Sequence, residues 1–136
     1  MIGALDMRWL TSFYDTSTYG PTYIGGTTAG TTTYLIQEGE YVRLGREVRV
    51  SGRINWSAAT GTGDARISLP SVVGNTYRTT GSLFVDGITF GGSGVQMLVV
   101  PGTQYFTMYT PASNAAATLL TVEAAGLVIF SLTYFV

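Results

Sequence analysis

The sequence predicts an all-β domain, a sandwich or barrel of eight or more short strands. Apolar and polar residues alternate with period two from Glu47 to Ser57. Turn signals recur at about eight- to twelve-residue intervals along the rest of the chain. No window sustains an i, i+3, i+4 apolar stripe with caps. Thr (21 residues), Gly (18) and Tyr (9) dominate the 136-residue chain, and they suit pleated half-buried surfaces and the turns between them.

Residues 1–30 read as an N-terminal arm plus first strand, partly extended, ahead of a main domain over residues 31–136. Met7, Trp9, Thr11 and Phe13 fit one face of a strand, and Tyr14, Tyr19 and Tyr23 follow at intervals of four or five. Their apolar surface needs a partner to cover it.

Tyr41 to Leu44 is a short strand, and Leu44-Gly45-Arg46-Glu47 fits a two-residue hairpin of type II′. In the strand that follows, Val48, Val50, Gly52, Ile54 and Trp56 face one way, and Arg49, Ser51, Arg53, Asn55 and Ser57 the other. Trp56 ends the apolar face, which points it into a core.

Ala65 to Leu69 is a strand stopped by Pro70, which cannot donate to a ladder. Ser82 to Val85 and Gly87 to Phe90 are short extended pieces. Val95 to Val100 and Gln104 to Thr110 flank Val100-Pro101-Gly102-Thr103, whose Pro-Gly centre suits a type II turn. On the second of these strands Tyr105 and Tyr109 oppose Phe106 and Met108, so one pair faces outward or a subunit contact. Ala115 to Ala117 is too short to nucleate a helix. Ala117 to Glu123 and Leu127 to Val136 close the chain as strands.

Seven basic residues, all arginine, meet eight acids for a net charge of −1, with no lysine, histidine or cysteine. That excludes zinc and thiolate sites, His- or Cys-ligated haem, His-dependent nucleophiles, Schiff-base lysines and disulfides. Near-neutrality predicts no nucleic-acid partner. The absence of an 18-residue apolar run predicts no membrane span, and Asp6 and Arg8 argue against a secretory leader. A folded monomer of 14.5 kDa exposes about 6,900 Å². Fifteen charges then give one per roughly 460 Å². Such a surface is covered by Thr, Ser, Gly and Asn, or is buried against other subunits; both are expected.

Candidate chemistry is thin. Glu38 and Glu40 are the only acids spaced to share a strand face, and they read as solvated acids where a loop enters a strand. Asp64 and Asp86 lie in Gly/Thr-rich loops without the alternating Asp/Asn pattern of a calcium cage. Gly61-Thr62-Gly63 and Gly91-Gly92-Ser93-Gly94 open no helix and lack the Lys-Ser/Thr of a phosphate loop, so they read as hairpin turns. No enzyme activity, metal or cofactor is expected. Arg43, Arg46, Arg49 and Arg53 form either a strip for phosphate, a sulfated sugar or an acidic protein partner, or ion-pair partners for Glu38, Glu40 and Glu47. The closeness of the acids favours pairing.

The run Tyr41-Val42-Arg43-Leu44-Gly45-Arg46-Glu47-Val48-Arg49-Val50-Ser51-Gly52-Arg53-Ile54-Asn55-Trp56 resembles a pattern of bacteriophage virion proteins. In these a Tyr-x-x-x-Gly turn leads into a Val-x-Val-x-Gly-x-Ile-x-Trp strand. Ala58 to Gly63, Ile67-Ser68-Leu69-Pro70, Ser113 to Ala117 and Val128 to Tyr134 fit the same pattern. The likeness covers Thr31 to Val136. It implies a jelly-roll β-sandwich of the C1q/tumour-necrosis-factor type, assembling as a homotrimer, with Trp56, Phe130, Leu132 and Tyr134 in trimer or core packing.

Within that setting the expected role is a capsid decoration or cement protein on the capsid exterior, bound to the major capsid protein. The segment before the jelly roll shows no shaft repeat or coiled-coil heptads, which weighs against a fibre. The arm then supplies coat contacts through Trp9, Phe13, Tyr14, Tyr19 and Tyr23. The alternative is a receptor-binding fibre tip recognising a host glycan or protein, with Tyr and Arg holding the ligand.

Overall fold

A computed structural model describes residues 14–74, 77–92 and 94–136. Trp9 and Phe13, with Met7 and Thr11, lie outside the described residues. The described chain is all-β, without a helix, and forms two antiparallel sheets packed as a β-sandwich.

The ten strands are β1 (Tyr14–Tyr19), β2 (Tyr23–Gly25), β3 (Thr32–Leu44), β4 (Glu47–Ala59), β5 (Ala65–Ser68), β6 (Gly81–Asp86), β7 (Gln96–Val99), β8 (Tyr105–Ala112), β9 (Ala115–Leu119) and β10 (Gly126–Phe135). Sheet A has the order β1-β3-β4-β10-β6, and sheet B the order β2-β5-β8-β7, with β9 also on β8. The chain therefore changes sheet at β1–β2, β2–β3, β4–β5, β5–β6, β6–β7 and β9–β10.

The period-two reading of β4 holds in space. Val48, Val50, Ile54 and Trp56 are all buried, while Arg49, Ser51 and Arg53 are exposed. Gly52 takes its place in the inward series because the Phe130 ring occupies the space where its side chain would lie. The β3–β4 hairpin closes with Leu44 opposite Glu47. Gly45 has φ +60° and Arg46 stays at negative φ, as type II′ requires. Gly102, at φ +82°, fills the left-handed position of the type II turn between β7 and β8.

Strands β4 and β10 of sheet A face β2, β5 and β8 of sheet B across one core. Phe130 of β10 meets Phe106 of β8 edge-on, with ring centroids 5.1 Å apart. At one end Tyr23 of β2 stacks on Trp56 of β4 at 3.9 Å and 25°. The pair holds one residue of the β9–β10 connection. Glu123 N–H donates to the Tyr23 hydroxyl at 2.9 Å, and Trp56 Nε1 donates to Glu123 O at 3.0 Å. Side chains of sheet A also tie down β2: Tyr34 accepts from Tyr23 N–H at 2.7 Å, and Thr32 Oγ1 donates to Tyr23 O at 2.6 Å. Trp56, Phe130, Leu132 and Tyr134 are all core residues.

Several expectations are corrected. From Tyr14 onward the 1–30 segment supplies two strands where one was expected, β1 pairing with β3 in sheet A and β2 with β5 in sheet B. Glu38 and Glu40 lie in the middle of β3, which is far longer than the Tyr41–Leu44 piece. Gly87 to Phe90 is not a strand. Gly61 to Gly63, and the described part of Gly91 to Gly94, lie in connections that cross between sheets, so they are not hairpin turns. Ala115 to Ala117 opens β9, and the paired segment ends at Leu119, short of Glu123.

Candidate functional site

The outer face of sheet A follows from strand register. Residues directly opposite one another share a face, so each outward position of β4 defines a row across the sheet. The central row runs Thr18, Glu40, Ser51, Ser131, Ser82 across all five strands. One flanking row runs Glu38, Arg53, Ile129, Phe84, and the other runs Thr16, Val42, Arg49, Thr133. Beyond the second lies Tyr14, Leu44, Glu47, Phe135.

Small serines between bulkier rows make a trench. Its larger hollow, about 830 Å³, lies over Ser51, Ser131 and Ser82, with Arg53, Glu38, Ile129 and Phe84 along one side. A second hollow of about 470 Å³ adjoins it across Glu40, Ser51 and Ser131 and reaches Val42, Arg49 and Thr133. Phe84 is 58% exposed and Ile129 41%, while Leu44 and Phe135 are similarly open. Large apolar side chains on several strands thus stand toward solvent on one face.

The charges on this face largely cancel. Arg53 Nη2 lies 2.8 Å from Glu38 Oε1, directly across the β3–β4 ladder. Arg49 Nε lies 2.9 Å from Glu47 Oε1. The other two clustered arginines go elsewhere: Arg43 donates through Nε to Gly45 O, and Arg46 to Val136 O. Arg43 sits opposite the inward-facing Val48, on the reverse side of the sheet from Arg49 and Arg53. The four arginines therefore form no single basic strip, and two of them pair with the expected neighbours.

Of the aromatic residues assigned to coat contact, Tyr14 is exposed at the edge of sheet A. Tyr23 is corrected to the core, at 1% exposure. Tyr19 is corrected to the core margin, where its hydroxyl donates to Ser68 O and its ring meets Tyr41 edge-on. Both belong to the sandwich because β1 and β2 do. Burial pushes the Tyr23 hydroxyl up to about 12, against the lowering effect of the Glu123 N–H bond. Burial also raises Tyr19 and Tyr134, the latter despite the Ser71 hydrogen bonds to its hydroxyl.

Among the described residues no group of three His, Cys, Asp or Glu side chains is placed to hold a metal ion. Asp64 pairs with Arg66 at 2.7 Å, and the closeness of that carboxylate raises the guanidinium further above its ordinary range. Asp86 ends β6, opposite Leu127. Comparison with family models, curated proteins and solved structures finds no match. The rows of the trench had no signal in the sequence, because β10 lies between β4 and β6 only after folding.

Proposed function

We propose that this chain is a structural protein of a bacteriophage virion, a homotrimeric jelly-roll subunit of the C1q/tumour-necrosis-factor type. In this reading it decorates the capsid exterior and stabilises the coat lattice by binding the major capsid protein. The observation that carries the reading is the outer face of sheet A, apolar on several strands and with most of its charges paired. Nine residues of β4 from Glu47 to Asn55 span about 30 Å at ~3.3 Å each. Five strands at ~4.8 Å spacing cover roughly 24 Å across. The face is then on the order of 700 Å², close to the ~800 Å² that each partner contributes to a standard interface. A second and third copy of the chain would cover it, in keeping with the sparse charge of the whole sequence and the resemblance of the Tyr41–Trp56 run.

The repeated passage of the chain between sheets, with β10 inside sheet A, supports the jelly-roll assignment. Coat contact falls to Trp9, Phe13 and Tyr14, since Tyr19 and Tyr23 serve the sandwich.

Two measurements test this. In solution the protein is expected at three times its 14.5 kDa chain mass, and the double variant Phe84→Arg/Ile129→Arg at the mass of one chain. A monomeric parent protein refutes the trimer. The full chain should cosediment with capsids, and Trp9→Ala/Phe13→Ala should weaken that binding while leaving the trimer intact. Absence of binding to any capsid refutes the decoration role.

A further inference from the structure

The outer face of sheet B holds a second and different feature. On β8, Tyr105, Thr107 and Tyr109 lie on the outer face, the tyrosines half-buried and Thr107 buried between them at 9% exposure, while Phe106, Met108 and Thr110 point into the core. Four residues of strand put the two tyrosines about 13 Å apart at their Cα atoms, with the small Thr107 between them. The result is a slot of about 240 Å³, floored by Thr107, bounded along the strand by Tyr105 and Tyr109, and flanked by Leu98, Leu119 and Asp64. Leu98 sits directly opposite Thr107 on β7, and Leu119 directly opposite Tyr109 on β9.

The polar groups in and beside the slot are fixed in place. Arg66 of β5 is opposite Thr107, and its guanidinium carbon lies 4.3 Å from the centroid of the Tyr105 ring. Its Nε bonds to Asp64 Oδ2 at 2.7 Å. The backbone holds Asp64 from both sides, since Gly26 N–H donates to Asp64 O and Thr121 pairs with it in a single antiparallel bridge. Its carboxylate also fills the space where a side chain at position 26 would lie. Both charges thus stand on rigid elements, already oriented before any ligand arrives.

From this geometry we infer that the slot is a binding subsite for one neutral hexose or N-acetylhexosamine unit of a glycan. The slot is smaller than the ~300 Å³ at which pockets for drug-sized ligands begin, which suits a single six-membered ring. The Arg66 guanidinium takes one face of the Tyr105 ring, which leaves its other face and the Tyr109 ring to give the apolar C–H face of a pyranose a surface to stack on, a contact that carries no charge requirement. Asp64 supplies acceptors from the slot wall, Arg66 beside it supplies donors beyond the Nε already used, and Thr107, whose hydroxyl donates to Leu98 O at 3.5 Å, supplies an acceptor. Donors and acceptors side by side match neighbouring sugar hydroxyls. Because Asp64 and Arg66 neutralise one another, phosphate, sulfate or an acidic sugar gains little from the pair, and a neutral polyol is the better match. This inference does not rest on the assembly reading, which uses the opposite face of the sandwich.

The test is an NMR titration of the full chain, labelled at tyrosine, with glucose, galactose, mannose and N-acetylglucosamine in turn. At least one sugar is expected to move the Tyr105 and Tyr109 ring signals saturably while those of the buried Tyr23 and Tyr134 stay in place. Tyr109→Ala should weaken that binding about tenfold, in line with one stacked ring. Thr107→Val, nearly equal in shape, should weaken it through loss of the floor hydroxyl and serves if Tyr109→Ala disturbs the buried tyrosine signals. Phe84→Arg/Ile129→Arg should leave the titration unchanged, which separates failure here from failure of the trimer. The inference is overturned if none of the four sugars moves the two signals, if the movement never saturates, or if it survives both slot variants.

Discussion

Replacing Tyr23 distinguishes a contact residue from a core residue. Its ring is 1% exposed, stacks on Trp56 at 3.9 Å, and its hydroxyl accepts the Glu123 N–H at 2.9 Å. Tyr23→Phe keeps the stack and removes one hydrogen bond, so about 1 kcal/mol of stability should be lost. Tyr23→Ala removes the ring as well. Loss of a large buried aromatic costs ~3–5 kcal/mol, and the stacked pair places this site toward the upper part of that range. Against a total of ~5–15 kcal/mol for a domain, this is a third or more of the whole in most cases. Equilibrium unfolding in guanidinium chloride, followed by fluorescence in a Trp9→Phe background so that Trp56 is the only tryptophan, measures both variants. The indole reports directly on the site because its Nε1 bonds the same Glu123 residue. If Tyr23→Ala unfolds within about 0.5 kcal/mol of the parent, as a surface substitution does, the core placement of β2 is wrong and Tyr23 returns to the arm.

Two further predictions concern the same fold. Tyr23 titrates at about 12 in the folded protein against 10.0 unfolded, so the native state holds its proton more tightly. Its contribution is complete below pH 10 and is lost as pH rises toward about 12, roughly 3 kcal/mol at most by linkage. Tyr19 and Tyr134 are shifted in the same direction and steepen the fall. The chain has no lysine or cysteine to titrate in that window, so a stability that stays flat across it, read from unfolding midpoints, contradicts the burial of these hydroxyls. At Gly25 an added Cβ would run into the backbone oxygens of Thr28 and Thr62, which are themselves held by mutual hydrogen bonds. Gly25→Ala should cost about 3 kcal/mol, whereas Gly91→Ala, with open space around it, should stay within ~0.5 kcal/mol. Equal melting temperatures for the two variants would count against this packing.

The signals legible in the sequence were those of local geometry. The alternation from Val48 to Trp56 requires a strand with one face covered, because period two has no other stable use. Gly45 and the Pro101-Gly102 pair mark turns because each supplies a backbone angle that other residues adopt at a cost. The glycines of Gly61 to Gly63 show the limit of such signals. They mark a change of direction, but the same residues serve a hairpin and a crossing to the other sheet, and here they serve the crossing.

Tyr19 and Tyr23 fail in a related way. Their spacing shows that something covers them, and spacing is silent on whether the cover is a partner or the chain's own second sheet. Pairing of β1 with β3 and of β2 with β5 decides it, through contacts between residues far apart in sequence.

By itself, then, the sequence determined the all-β class, the faces of individual strands, several turns, and a surface poor in charge. Tertiary structure alone decided which strands are neighbours. With β10 between β4 and β6, the serines and apolar residues of separate segments become the rows of one trench. With β5 and β7 on either side of β8, Arg66 and Leu98 come to flank Thr107. The physical reason is that strand alternation is set within a few residues, whereas register between strands is fixed by the shared core, where burial of Phe106 against Phe130 and Tyr23 against Trp56 selects one pairing.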